Sequence, residues 1–254
     1  MVSRFGKMED GTPIQLPETK RVWRACFIIG ALFWLVAVVL WVEGSLDEAV
    51  LFAFDADRVA MDQLAVLAKV FSAYGMAAIS TLFVIYLLLS KFIPAFDAPL
   101  TVYFYTICSY GLSGIAGDLL KQVLARPRPR ITFAGQILAL STSTGFAMPS
   151  GHATKSVALV LPFLLLVSHS KNLHKSVKLM IGLTAAGVCV SRVVLGAHYV
   201  SDVLAGIGTA LMGLPLTMLF ANMVLSKAKQ EKLPVLSVVW GVLLVFLTLL
   251  FIVL

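Results

Sequence analysis

Between Val22 and Val42 a single charged residue, Arg24, interrupts an otherwise apolar or small stretch of 21 residues. A helix that crosses a bilayer needs about 20 such residues. Comparable runs recur near 73–89, 99–125, 152–167, 177–197, 199–225 and 234–254. No water-soluble core absorbs that much apolar surface. The chain is 59% hydrophobic and 13% charged, whereas soluble domains hold roughly 45–50% apolar and about 25% charged residues. The fold class that follows is all-α: a polytopic membrane helix bundle with a six-helix core and a seventh, C-terminal span.

The segments between the runs set the organisation. Residues 1–21 read as a polar cytoplasmic tail. The first run is a retained span, since it lacks the short apolar core and small-residue cleavage site of a signal peptide. Residues 22–225 form the six-span unit, and residues 226–254 are a polar link with the extra span. Within the unit, residues 43–72 hold Glu43, Asp47, Glu48, Asp55, Asp57 and Asp62 against Arg58 and Lys69. Their apolar residues recur at partly helical spacing, which predicts short amphipathic helices on the membrane surface with a solvated acidic face.

Loop charges orient the chain. Lys171, Lys175 and Lys178 lie between the fourth and fifth spans, and Lys227, Lys229 and Lys232 follow the sixth. Both groups fall on the side of the N-terminus, hence the cytoplasm, and His169 and His174 read as loop residues there. The stretch 121–152 breaks this rule. It carries Lys121, Arg126, Arg128 and Arg130 without an acid and must face outward, which points to an anionic substrate. The net charge of +7 is scattered among loops rather than gathered on one helix, which excludes a nucleic-acid partner. Cys26, Cys108 and Cys189 lie inside apolar runs without metal spacing and read as buried side chains.

Three pieces converge on the outer face. In K-Q-V-L-A-R-P-R-P, Arg128 follows Lys121 by close to two helical turns. The prolines end the third span near Ala125, and Asp118 sits one turn before Lys121, where it can pair with it. Pro149-Ser150-Gly151-His152 reads as a helix start whose N–H groups attract an anion. His152 is a proton carrier near neutral pH. In S-R-V-V-L-G-A-H-Y-V-S-D, His198 and Asp202 stand at i and i+4, so a carboxylate can fix the tautomer of an imidazole left free to attack. Gly196 permits the turn before them, and Arg192 supplies a planar fork for phosphate oxygens. Lys155, one turn beyond His152, adds charge to the site. Arg126 is left to lipid headgroups or to solvent.

In this order, K-x6-R-P, P-S-G-H and S-R-x5-H-x3-D resemble the three-part signature of the type-2 phosphatidic acid phosphatase superfamily. That superfamily includes membrane lipid phosphate phosphatases and bacterial phosphatidylglycerophosphate, undecaprenyl-pyrophosphate and lipid A phosphatases. The resemblance covers Lys121 to Asp202 and agrees with a six-helix membrane form that has its active-site loop at 126–151. It implies that His198 attacks phosphorus to form a phosphohistidine, that Asp202 orients it, and that His152 protonates the leaving oxygen. Lys121, Arg128, Arg192 and the N–H groups around Ser150 and Gly151 would hold the phosphate. No metal and no cofactor are implied. The expected protein is a hydrolase of a lipid phosphomonoester or terminal pyrophosphate in a bacterial inner membrane, with its site facing the periplasm or exterior and no obligate protein partner. The alternatives are a phosphotransferase using the same phosphohistidine and a non-catalytic lipid-phosphate binder or transporter.

Overall fold

In the computed structural model the described residues are 19–89, 92–93, 100–166 and 172–227, and all of their regular structure is helical. Most of the expected N-terminal tail and nearly all of the link and last span expected over 226–254 lie outside them. Six long helices fall where apolar runs predict spans: α1 (Thr19–Glu43), α4 (Gln63–Leu89), α5 (Leu100–Leu124), α7 (Gly151–Leu166), α8 (Asn172–Val194) and α9 (Val200–Lys227). Three short helices connect them: α2 (Ser45–Ala53), α3 (Asp55–Ala60) and α6 (Pro129–Thr132). The stretches in α1, α4, α8 and α9 are long and apolar enough to cross a membrane.

Packing follows from which side chains avoid lipid. Helix α7 is central, against α5, α8 and α9, while α1 lies along α9 and α4 along α8. Ile79, Phe83, Tyr103, Leu159, Phe163 and Ile181 join α4, α5, α7 and α8 in one buried cluster. Cys26, Ala158, Leu161, Ala210 and Leu214 join α1, α7 and α9 in another. Where α1 and α9 cross, Gly30 and Gly208 meet backbone to backbone. A Cβ on either would lie 2.8 Å from the other's carbonyl oxygen, the close approach that small residues permit between membrane helices. Leu32, Leu35, Val39 and Val42 of α1 and Leu216 and Leu219 of α9 stay exposed. Without a solvating lipid, that belt would have no partner.

The acidic segment departs from expectation. Its apolar periodicity does form short helices, α2 and α3, which also brace the bundle through buried charges, and residues 63–72 belong to α4. Asp62 caps α4 by accepting the Ala65 N–H (2.9 Å). Arg58 is fully buried. Its guanidinium donates to the Val194 carbonyl (3.1 Å), the Leu51 carbonyl (2.8 Å) and Asp55 (3.1 Å). Asp55 in turn accepts the Leu138 N–H (2.8 Å). Asp47 is also buried, so the acidic face is not uniformly solvated. His174, expected in a loop, lies in the first turn of α8; His169 lies outside the described residues.

Candidate active site

Helix α5 stops at Leu124. Ala125 turns into the left-handed region (φ +47°) while its N–H still bonds to the Lys121 carbonyl (2.9 Å). The prolines that follow carry the chain across the bundle end, and Pro129 starts α6. The next loop returns to α7, whose first residue is Gly151. Two backbone bonds fasten this loop to the others: Ala147 N–H to the Arg126 carbonyl, and Ser150 N–H to the Asp202 carbonyl (both 2.8 Å). The α8–α9 link is short and sharp. Ala197 and His198 both donate their N–H to the Arg192 carbonyl, and Gly196 adopts φ +65° with Arg58 and Ala139 against it. The three sequence pieces therefore share one end of the bundle.

His198 is buried at the centre. Nε2 lies 3.2 Å from Arg128 Nη1, and Nδ1 lies 3.4 Å from Asp202 Oδ2. A guanidinium has only donors, so the Arg128 contact favours the tautomer with the lone pair on Nε2 and the hydrogen on the Nδ1 that faces Asp202. The 3.4 Å separation is long for a formed hydrogen bond. Catalytic bonds of this kind tighten when charge develops. Burial, with the charges of Arg128, Arg192 and Lys121, pushes the His198 pKa well below its ordinary 6.5. The shift favours the neutral ring. Burial also lowers the Arg128 pKa, against the opposing pull of Asp202.

Asp202 is fully buried and has several partners. Oδ2 accepts the Tyr199 N–H (2.9 Å) and Oδ1 accepts Arg126 Nη1 (2.7 Å). Arg128 also donates Nε to the Gly145 carbonyl (3.0 Å) and Nη1 to the Ala197 carbonyl (3.2 Å). Arg192 is gripped by hydroxyls: Ser72 on Nη1, Ser141 (3.3 Å) and Ser143 (3.4 Å) on Nη2. Its Nε and the Ser150 Oγ are buried without a hydrogen-bond partner among the described residues. Lys121 faces the start of α7, where a Cβ on Gly151 would lie 3.0 Å from its Nζ. Glycine there lets the ammonium reach the helix N-terminus. His152 has Arg192, His198, Lys121 and Lys155 as electrostatic neighbours.

The structure thus brings together His198, Asp202, His152, Lys121, Arg128, Arg192, Ser150 and Gly151. Asp118, largely exposed, lies between Lys121 (3.7 Å) and Lys155 (3.5 Å), so Lys155 sits at the rim of the same site. Arg126 does not reach lipid or solvent. It is buried, and its guanidinium stacks on Tyr199 (4.0 Å to the ring centroid). Sequence reasoning missed Asp47, Ser201, Ser72 and the partners of Arg192. The polar run Ser141-Thr142-Ser143-Thr144-Gly145 carried a signal for the last of these, since two of its hydroxyls and its glycine carbonyl hold the two arginines.

The helices carrying this site match a known family: the PAP2 superfamily model covers residues 100–226. The chain belongs to the PAP2 superfamily. Within it, phosphatidylglycerophosphatase B of Bacillus subtilis (strain 168) is 33% identical over 108 residues, 41% of this chain and 50% of that protein. Lipid A 1-phosphatase of Rhizobium etli is 31% identical over 107 residues, 41% of this chain and 43% of that protein. The chain thus spans about half the length, or less, of the curated relatives it matches. A solved transmembrane PAP2-type phosphatidylglycerolphosphate phosphatase from Bacillus subtilis shares the fold. Its TM-score is 0.54 at 23% identity, over 78% of this chain and 96% of that one.

Proposed function

We propose that this PAP2 protein is an integral-membrane phosphatase that removes a phosphate, or the terminal phosphate of a diphosphate, from a membrane lipid. The observation that carries this reading is the His198 ring, buried with Nε2 3.2 Å from Arg128 and Nδ1 facing the buried Asp202 carboxylate. The PAP2 relatives named for lipid phosphatases support the choice of substrate class.

The phosphate enters among Lys121, Arg128 and Arg192, whose charges stabilise its oxygens, and Arg128 exchanges its contact with Nε2 for one with phosphate. The unpartnered Arg192 Nε and Ser150 Oγ are donors suited to the same oxygens. The Nε2 lone pair attacks phosphorus, and the bond from phosphorus to the lipid oxygen breaks. That oxygen takes a proton from His152, which takes it up from solvent when the phosphate dianion binds beside it. The imidazole ring now carries positive charge, which Asp202 stabilises through Nδ1–H. A water then gives a proton to His152 and attacks the phosphoryl group. The N–P bond breaks, releasing inorganic phosphate and restoring both histidines. The cationic side chains supply the charge stabilisation, so turnover is expected to persist in excess EDTA.

The direct test is phosphate release by the purified protein from phosphatidic acid, phosphatidylglycerophosphate, undecaprenyl diphosphate and lipid A. Release from at least one of these, abolished in His198→Ala, is the expected result. Undiminished turnover in His198→Ala would sink the mechanism, and no release from any lipid would sink the function. Phosphorylated product on an added acceptor lipid would instead assign a phosphotransferase.

A further inference from the structure

Arg126 turns both terminal nitrogens of its guanidinium into the protein. Nη1 donates to Asp202 Oδ1 (2.7 Å) and to Ser201 Oγ (2.6 Å), and Nη2 donates to Asp47 Oδ2 (2.9 Å). One face lies 4.0 Å from the Tyr199 ring centroid, and the Trp41 ring lies at 5.4 Å. Asp47 closes the circuit. Its Oδ1 accepts the Ser201 N–H (2.9 Å), and its Oδ2 accepts the Ser201 hydroxyl. Asp47, Ser201 and Asp202 are each at most 1% exposed, and Arg126 is 6% exposed. Its two terminal nitrogens are thus both engaged inside the protein.

A buried arginine between two buried carboxylates is costly unless its geometry is satisfied. Here both acids are met by a planar fork in one fixed orientation. Asp202 is thus gripped on Oδ1 by Arg126 and on Oδ2 by the Tyr199 N–H, so its remaining lone pairs point to His198 Nδ1. We propose that Arg126, locked by Asp47 from the α2 brace, is a positioning residue that aims the Asp202 carboxylate at the attacking histidine. This rests on the phosphatase reading above, and it ties the segment before α4 to the chemistry. Of the two arginines in R-P-R-P, Arg128 faces the phosphate while Arg126 acts from behind through Asp202.

The test uses the full-length protein in detergent, with kcat, KM and inhibition by inorganic phosphate measured side by side. Wild-type turnover that is lost in His198→Ala establishes the phosphatase reading independently of Arg126. Arg126→Met is then expected to lower kcat by about tenfold or more, the range of coupling between groups in one polar network. Inhibition by inorganic phosphate should stay within about threefold of wild type, because Lys121, Arg128 and Arg192 are untouched. Arg126→Lys should recover part of the loss. In an Asp202→Asn background, Arg126→Met should cost less than about threefold, since the group being aimed is already altered. Asp47→Asn should lower kcat by a smaller factor, an effect absent once Arg126 is methionine. Full kcat in Arg126→Met overturns the proposal and leaves the phosphatase reading intact. Losses that multiply with Asp202→Asn, or phosphate inhibition that weakens in step with kcat, would reduce Arg126 to a purely structural role and overturn it as well.

Discussion

Each cation of the site is held by a different kind of partner, and this decides what it can do. Arg192 is gripped by three hydroxyls, Arg128 by two backbone carbonyls and an imidazole, and Arg126 by two carboxylates and a hydroxyl. Neutral partners leave Arg128 and Arg192 their positive charge for a ligand, whereas carboxylates cancel that of Arg126. Burial first, and then the charges of Arg128, Arg192 and Lys121, hold the His198 pKa well below 6.5. Its protonation, which would block the proposed attack, is therefore deferred to lower pH. In the free enzyme the acid limb of kcat/KM should lie below pH 6.5, once the ionisation of the substrate phosphate (second pKa about 6) is allowed for. A limb at or above 6.5 in profiles with substrates of differing phosphate pKa would contradict the buried, neutral ring. The sign also applies to stability. The unfolded chain takes up a proton near 6.5 that folded His198 refuses, so this residue's contribution falls as pH drops below that value.

At the scale of elements, α1, α4, α8 and α9 could be read from the sequence because lipid imposes a simple rule on them, roughly twenty mostly apolar residues, and α5 and α7 from shorter or more mixed apolar runs. The α2–α3 brace could not. Asp47 and Arg58 look like solvated charges in a mixed segment, and their burial depends on Ser201, Arg126 and Val194, which lie 154, 79 and 136 positions away. Arg126 was obscured for the same reason: two arginines stand two positions apart, and only the folded chain shows which one meets a carboxylate. The motif residues themselves were legible, because their chemistry is tied to short fixed spacings such as His198 to Asp202. The brace makes its own prediction. Arg58→Met removes the donors to Val194, Leu51 and Asp55 at the turn carrying Gly196. A loss on the order of 3 kcal/mol is expected, as for a buried charge network that loses one partner. A lowered melting temperature in detergent should accompany reduced turnover. An unchanged melt would show that α3 does not brace the α8–α9 turn.

For the whole molecule, the question is which way the bundle faces, since the proposed lipid phosphatase would act on the leaflet its site reaches. Lys121, Arg126, Arg128, His198 and the α2–α3 brace all lie at one end of the bundle. Lys175 and Lys178, near the start of α8, belong to the opposite end; Lys178 donates there to the Leu164 carbonyl close to the end of α7 (2.7 Å). The positive-inside rule assigns the lysine end to the cytoplasm. The arginines at the other end are an exception in count but not in energy, because Arg126 and Arg128 are buried and partnered inside the protein rather than left as loop charge. The site should therefore open to the exterior or periplasm. Gln136 in the loop after α6 and Lys175 at the start of α8 are both exposed. With the native cysteines replaced, Gln136→Cys should react in intact cells with a maleimide that cannot cross the membrane, and Lys175→Cys only after the cells are opened. The reverse pattern would place phosphate release on the cytoplasmic leaflet and overturn the charge-based orientation, while leaving the chemistry at His198 untouched.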